Sequence, residues 1–171
     1  MNQKVFGFAG WSGSGKTTLI ERVISHLAGR GLRVSLVKHA HHEFDVDQPG
    51  KDSWRHRAAG ASEVLVSSAN RWALMHELRD EPELSLRQAI AQFNPSDLVL
   101  VEGYKRESIP KIEVWRAQLD KPLLFPEDPN ILGLATDDPL PTMVQEPNFA
   151  RFGLVQVEEI AEFALHHARV I

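Results

Sequence analysis

The chain has 171 residues, 43% of them apolar, and a formal net charge of −4; a domain of this length buries about 70% of its unfolded surface. The lack of cysteine excludes disulfides, thiolate zinc sites and cysteine nucleophiles, and lysine and arginine scattered among acids give no basic stripe for nucleic acid or an anionic membrane. No window approaches the roughly 18 apolar residues of a membrane span, so the expectation is one soluble, cytoplasmic domain over residues 1–171, with neither nucleic acid nor membrane as partner.

Val5 to Ala9 is a short apolar run, the pattern of a parallel strand covered on both faces, and reads as the central strand. It leads into Gly10-Trp11-Ser12-Gly13-Ser14-Gly15-Lys16-Thr17, which matches G-x-x-x-x-G-K-[ST] in the strand-to-helix context that the motif needs. Glycines 10, 13 and 15 let the backbone turn tightly and aim its N–H groups at phosphate oxygens. The helix that begins near Lys16 adds unpaired N–H groups and a positive dipole end. The Lys16 ammonium suits the β/γ-phosphates, and the Thr17 hydroxyl suits Mg²⁺, which prefers oxygen ligands. The pattern therefore predicts a site for a nucleotide phosphate tail.

Thr17 to Ala28 places Leu19, Ile20, Val23, Ile24 and Leu27 on one helical stripe, with Gly29 and Gly31 as stop signals. A strand at Arg33 to Lys38 opens into a polar loop from His39 to Lys51 that contains His41, His42, Asp45 and Asp47. Asp52 is expected to cap a short helix that runs to Ala59. Strands are expected at Glu63 to Ser67 and Arg71 to His76, and a helix at Leu84 to Phe93. Leu98-Val99-Leu100-Val101, followed by Glu102-Gly103, reads as a second central parallel strand with an acid at its C-terminal edge. Lys111 to Trp115 and Ile131 to Thr136 are later strands, and Val157 to Ala168 is a closing amphipathic helix. Alternating strands and helices predict an α/β fold of the P-loop NTPase type, an open and mostly parallel sheet with helices on both faces and its ligand beyond the C-terminal strand ends.

Glu102 is the candidate second acid of the magnesium site; otherwise it caps the strand end or pairs with Lys105 or Lys111. Asp47, ahead of Asp45, is a further candidate for the metal shell, in the loop that senses a γ-phosphate in many proteins of this class. His39, His41 and His42 are compatible with metal ligation, with contact to phosphate or polar substrate, and with a solvated loop, because alternate residues of an extended segment face opposite ways. Lys51, Arg55 and Arg57 form either an anion patch or ordinary surface charge. The tryptophans read as core or interface residues, with Trp11, inside the loop, as the exception. The common N-K-x-D loop for guanine is missing; Asp137, after the strand ending at Thr136, is either its substitute or a turn residue ahead of Pro139.

Trp11 to Leu19, Lys38-His39-Ala40-His41-His42, Asp47-Gln48-Pro49-Gly50-Lys51-Asp52-Ser53 with Arg57-Ala58-Ala59-Gly60-Ala61, and Val101-Glu102-Gly103-Tyr104-Lys105 together resemble the molybdopterin-guanine dinucleotide biosynthesis protein B family (MobB). The resemblance covers most of the chain, and the Lys-His-x-His-His and Pro-Gly-Lys-Asp-Ser elements separate it from generic P-loop kinases. It implies a homodimer that binds GTP with Mg²⁺, hydrolyses it slowly at most, and assists the guanylyltransferase that joins GMP to molybdopterin. By position it implies a phosphate loop of Gly10, Ser12, Gly13, Ser14, Gly15, Lys16, Thr17 and Thr18, and a strand-end acid at Glu102. The His/Asp loop would respond to the γ-phosphate or contact the pterin phosphate. A small-molecule kinase and a GTP-dependent nickel or zinc metallochaperone are the rival readings.

Overall fold

The computed structural model describes residues 2–40, 44–145 and 147–171. The chain divides into two compact units, Met1–His39 with Leu86–Ile171, and Ala40–Ser85.

The first unit contains β1 (Lys4–Ala9), α1 (Lys16–Gly29), β2 (Val34–Lys38), α3 (Leu86–Ala91), β5 (Leu98–Glu102), β6 (Lys111–Val114), β7 (Ile131–Ala135), β8 (Ala150–Phe152), α4 (Val157–His167) and β9 (Arg169–Val170). Its sheet runs β2-β5-β1-β6-β7-β8, and β9 pairs with β1. Every pairing along that order is parallel, and β9 alone is antiparallel. The architecture is the expected open, mostly parallel α/β sheet.

Alternation along the strands sorts the core into two faces. Phe6, Phe8, Leu98, Leu100, Ile112 and Val114 pack with Leu19, Ile20, Val23 and Leu27 of α1 and with Ile160, Ala161 and Ala164 of α4. Val5, Val37, Val99 and Val101 face the other way and meet Leu86 and Ile90 of α3. All five residues of β5 are buried, which explains its unbroken apolar run. Burial of each such side chain stabilises the fold by about 1.5–3 kcal/mol.

Lys111, Glu113 and Glu102 are the charged residues buried in this unit among the described residues, and the first two hold its loops together. Lys111, 1% exposed, donates from Nζ to Asp128 Oδ2 at 2.7 Å and to the carbonyls of Lys105 and Glu107 at 3.0 and 2.7 Å. Glu113 accepts the backbone N–H groups of Leu124 and Phe125, one at each carboxylate oxygen. Burial pushes the Glu113 carboxyl above the usual carboxylate range.

The second unit holds α2 (Asp52–Ala58), β3 (Glu63–Ser67) and β4 (Trp72–His76). The two strands pair only with each other, as an antiparallel hairpin apart from the main sheet. Their Leu65, Trp72 and Leu74 side chains are exposed. Asp52 is the first helical residue of α2 and not its cap; extended Lys51 precedes it and no side chain caps the helix. The acid still sits favourably in the first turn. The third helix is shorter than its Leu84 to Phe93 pattern because it ends in turns at Gln92 and Phe93.

Candidate functional site

The loop between β1 and α1 owes its shape to positions that only glycine satisfies. Gly10 has φ +142°, and a Cβ there would stand 2.3 Å from the Val114 carbonyl oxygen at the end of β6. Gly15, at φ +92°, is the N-cap of α1, and no side chain caps the helix. The first turn of this 14-residue helix is therefore left with its backbone N–H groups uncapped by any side chain among the described residues. Ser14 is buried and its Oγ has no hydrogen-bond partner among the described residues, while Ser12 and Thr18 are exposed.

Lys16 folds back into this loop and donates from Nζ to the Trp11 carbonyl oxygen at 2.8 Å. Burial lowers its pKa; nearby Glu102 opposes that shift, and Lys105 and Lys38 add to it. Thr17 Oγ1 donates to Glu102 Oε1 at 2.6 Å, and Lys38 Nζ stands 3.5 Å from Glu102 Oε2. The side-chain partners of Glu102 among the described residues are thus Thr17 and Lys38, and neither Lys105 nor Lys111 pairs with it. Gly103, at φ +106°, lets the chain turn tightly after Glu102, against His39. A hydroxyl and a carboxylate held this close form a hard-oxygen donor pair, which fits Mg²⁺.

Trp11 reaches from its loop to the segment that follows β6. Its indole N–H donates to the Pro122 carbonyl at 2.7 Å, and Lys105 Nζ lies 4.0 Å from the ring centroid. Burial lowers the Lys105 pKa. Arg116, two residues beyond β6, donates from Nε to the Ser14 carbonyl at 3.2 Å. Sequence reasoning missed Lys38 and Arg116 as parts of this site. The available signal was a cation at or just beyond the C-terminal end of an apolar strand, the edge where open sheets bind ligands.

Asp137 lies just past β7 and is exposed; its Oδ1 accepts the Leu154 N–H at 2.7 Å. Its Oδ2 has no hydrogen bond among the described residues. Asp138 Oδ2 accepts the Ala117 N–H at 2.9 Å and so joins the loops that follow β6 and β7.

In the second unit, Arg57 gathers three carboxylates. Its Nη2 donates to both oxygens of Asp45, its Nε to Asp47 Oδ2 at 3.2 Å, and its Nη1 to Glu77 Oε1 at 2.5 Å. Hydrogen bonds to Glu77 and Asp45 hold the guanidinium far above its ordinary pKa. The backbone N–H of Asp47, followed by Arg57, holds the Asp45 carboxyl below its usual value. Asp47 Oδ1 also accepts the Ser53 hydroxyl at 2.7 Å, so both of its oxygens are engaged. Arg57 is therefore a carboxylate hub and not part of an anion patch. His41 and His42 lie outside the described residues. His39 packs its ring 5.0 Å from that of Tyr104. Among the described residues no group of three or more His, Asp or Glu is placed to hold a metal ion.

The family model described as "Molybdopterin guanine dinucleotide synthesis protein B" (MobB) matches residues 5–137. The chain belongs to the MobB family. The matched stretch spans the loop between β1 and α1, Glu102, Arg116 and Asp137. Two relatives named molybdopterin-guanine dinucleotide biosynthesis adapter protein are similar over nearly their whole length. The one from Escherichia coli K12 is 43% identical, covering 94% of this chain and 91% of its own. The one from Haemophilus influenzae is also 43% identical, covering 98% and 93%. The crystal structure of a MobB protein homolog from Bacillus stearothermophilus superposes with a TM-score of 0.69 at 26% identity and covers 95% of each chain. Among the described residues no helix is long and apolar enough to cross a membrane.

Proposed function

We propose that this MobB-family protein is a GTP-binding adapter in molybdopterin guanine dinucleotide biosynthesis, which serves the guanylyltransferase that joins GMP to molybdopterin. The relatives' adapter role supports the pathway. The observation that carries the nucleotide reading is the uncapped α1 N-terminus, with Lys16 folded onto Trp11 and Thr17 held against Glu102.

In this reading the amides of Gly13 to Thr18 cradle the phosphates, and Lys16 exchanges the Trp11 carbonyl for a β/γ-phosphate oxygen. Thr17 and Glu102 hold Mg²⁺, which supplies charge neutralisation on the phosphate oxygens when bound. A metal role for Asp47 requires Arg57 and Ser53 to give up its carboxylate. The free Oδ2 of Asp137 is the acceptor for guanine N–H groups. Hydrolysis is slow at most, since positioning and charge neutralisation are the only catalytic aids these residues offer. The exposed apolar side chains of the β3–β4 hairpin support self-association as a homodimer, and the cytoplasm is its location in this reading.

Calorimetric titration with GTP, ATP and molybdopterin, with and without a purified guanylyltransferase, tests the proposal. The expected result is Mg²⁺-dependent GTP binding that is lost in a folded Lys16→Ala variant. Retained GTP binding in that variant, or multiple turnover of a phosphorylated small molecule from ATP, overturns it.

A further inference from the structure

Arg116 is half-buried beside the phosphate loop; among the described residues the bond from Nε to the Ser14 carbonyl is its one side-chain hydrogen bond, and it ion-pairs with no carboxylate. A Cβ on Gly15 would stand 3.5 Å from Arg116 Nε and 3.6 Å from Nη2, so the guanidinium lies against the last residue before α1. An arginine held at one nitrogen, with its Nη groups unspent, is built for a further ligand.

The sheet order says which part of a nucleotide that ligand is. Glu102, which meets Thr17, ends β5 on one side of β1, whereas Arg116 follows β6 on the other. With Lys16 inside the loop and the metal-binding oxygens on the β5 side, the nucleoside end of a bound triphosphate leaves toward β6 and β7. A concavity of about 530 Å³ lies there, lined by Trp115, Ala117 and Asp120 from one loop and Pro139 and Pro141 from the other. Ala117 directly follows Arg116, and its N–H is the one held by Asp138.

We infer that Arg116 is the nucleoside-positioning residue of this site, a planar guanidinium fixed to the phosphate loop on which the purine ring of the nucleotide stacks. This rests on the nucleotide-binding reading above. The bond to Ser14 couples the base platform to the phosphate cradle, so one rigid piece reads both ends of the ligand. Stacking on a guanidinium plane is indifferent to purine type, which leaves discrimination between guanine and adenine to hydrogen bonding elsewhere.

The test compares GTP with inorganic tripolyphosphate, both with Mg²⁺, on the full chain by calorimetry. Wild type is expected to bind both ligands. Arg116→Ala is expected to weaken GTP about tenfold while tripolyphosphate stays within about twofold of wild type, and Arg116→Lys, which keeps the charge and loses the plane, is expected to weaken GTP nearly as much. Equal losses for both ligands would make Arg116 a phosphate contact and overturn the inference, as would unchanged GTP affinity. A wild-type protein that binds neither ligand overturns the nucleotide reading itself. On unaltered protein, the Arg116 Nε–H resonance is expected to show a ring-current shift with GTP that tripolyphosphate does not produce; no difference between the two ligands overturns the inference without recourse to variants.

Discussion

Thr17 and Glu102 are 85 residues apart in sequence, yet the threonine hydroxyl donates to the carboxylate at 2.6 Å. The contact joins the first turn of α1 to the end of β5, and Lys38 stands on the far carboxylate oxygen. Glu102→Gln keeps the size of the side chain and removes its charge. It is expected to reduce the Mg²⁺-dependent gain in GTP affinity by about 10–100-fold, measured as the ratio of affinities with and without Mg²⁺. An unchanged ratio would separate Glu102 from the metal.

Gly10→Ala places a methyl group 2.3 Å from the Val114 carbonyl, in a backbone conformation that alanine rarely adopts. The expected cost is about 2–3 kcal/mol, together with loss of nucleotide binding. Gly29→Ala, at the end of α1 with nothing within 4 Å of the new Cβ, is expected to stabilise by about 0.5–1 kcal/mol. Urea unfolding of the two variants checks both signs.

Lys111→Met removes a buried ammonium and leaves Asp128 and two carbonyls without it. Loss of one partner of a buried pair is expected to cost about 3 kcal/mol, read from the shift of the denaturation midpoint. Burial pushes the Asp128 carboxyl upward, but hydrogen bonds from Lys111 and Asn130 outweigh it and hold the pKa below the ordinary 3.8. The resulting stability is fully present above that ordinary value and is lost as pH falls through the depressed one. The variant is expected to lose this part of the acid-side slope.

His76 in β4 faces Glu63 across the hairpin at 2.8 Å, with Glu81 on its other ring nitrogen at 3.4 Å. The bond to Glu63, despite some desolvation, and the contact to Glu81 raise its pKa above 6.5. The pair therefore stabilises the hairpin fully below the ordinary histidine value, and less as pH rises through the folded one. An NMR titration is expected to place the His76 midpoint above 6.5 and to return it toward that value in Glu63→Gln. A midpoint unmoved by the substitution would refute the pairing.

The glycine turn after β1 and the strand ending at Glu102 were legible because both parts announce themselves. A strand buried on both faces is apolar along its length, and a turn with positive φ at positions 10, 13 and 15 calls for glycine there. Strand β8, at Ala150–Phe152, and β9, at Arg169–Val170, went unread, since segments of three and two residues show no periodicity. The run from Glu63 to His76 was read as two strands, but nothing in it shows that they pair with each other away from the main sheet. Arg57 was open to two readings, anion patch or surface charge, and neither named its role, because its three carboxylate partners are scattered at 45, 47 and 77. Arg116 escaped for the opposite reason: its partner is a backbone carbonyl, which no side-chain pattern advertises.

The indole of Trp11 crosses from the turn after β1 to the carbonyl of Pro122, and the Arg116 fork crosses back from the β6 side to Ser14. Two independent struts thus bridge the same pair of segments, like the two sides of a ladder. Neither segment can tilt alone without snapping a rung worth about 1 kcal/mol.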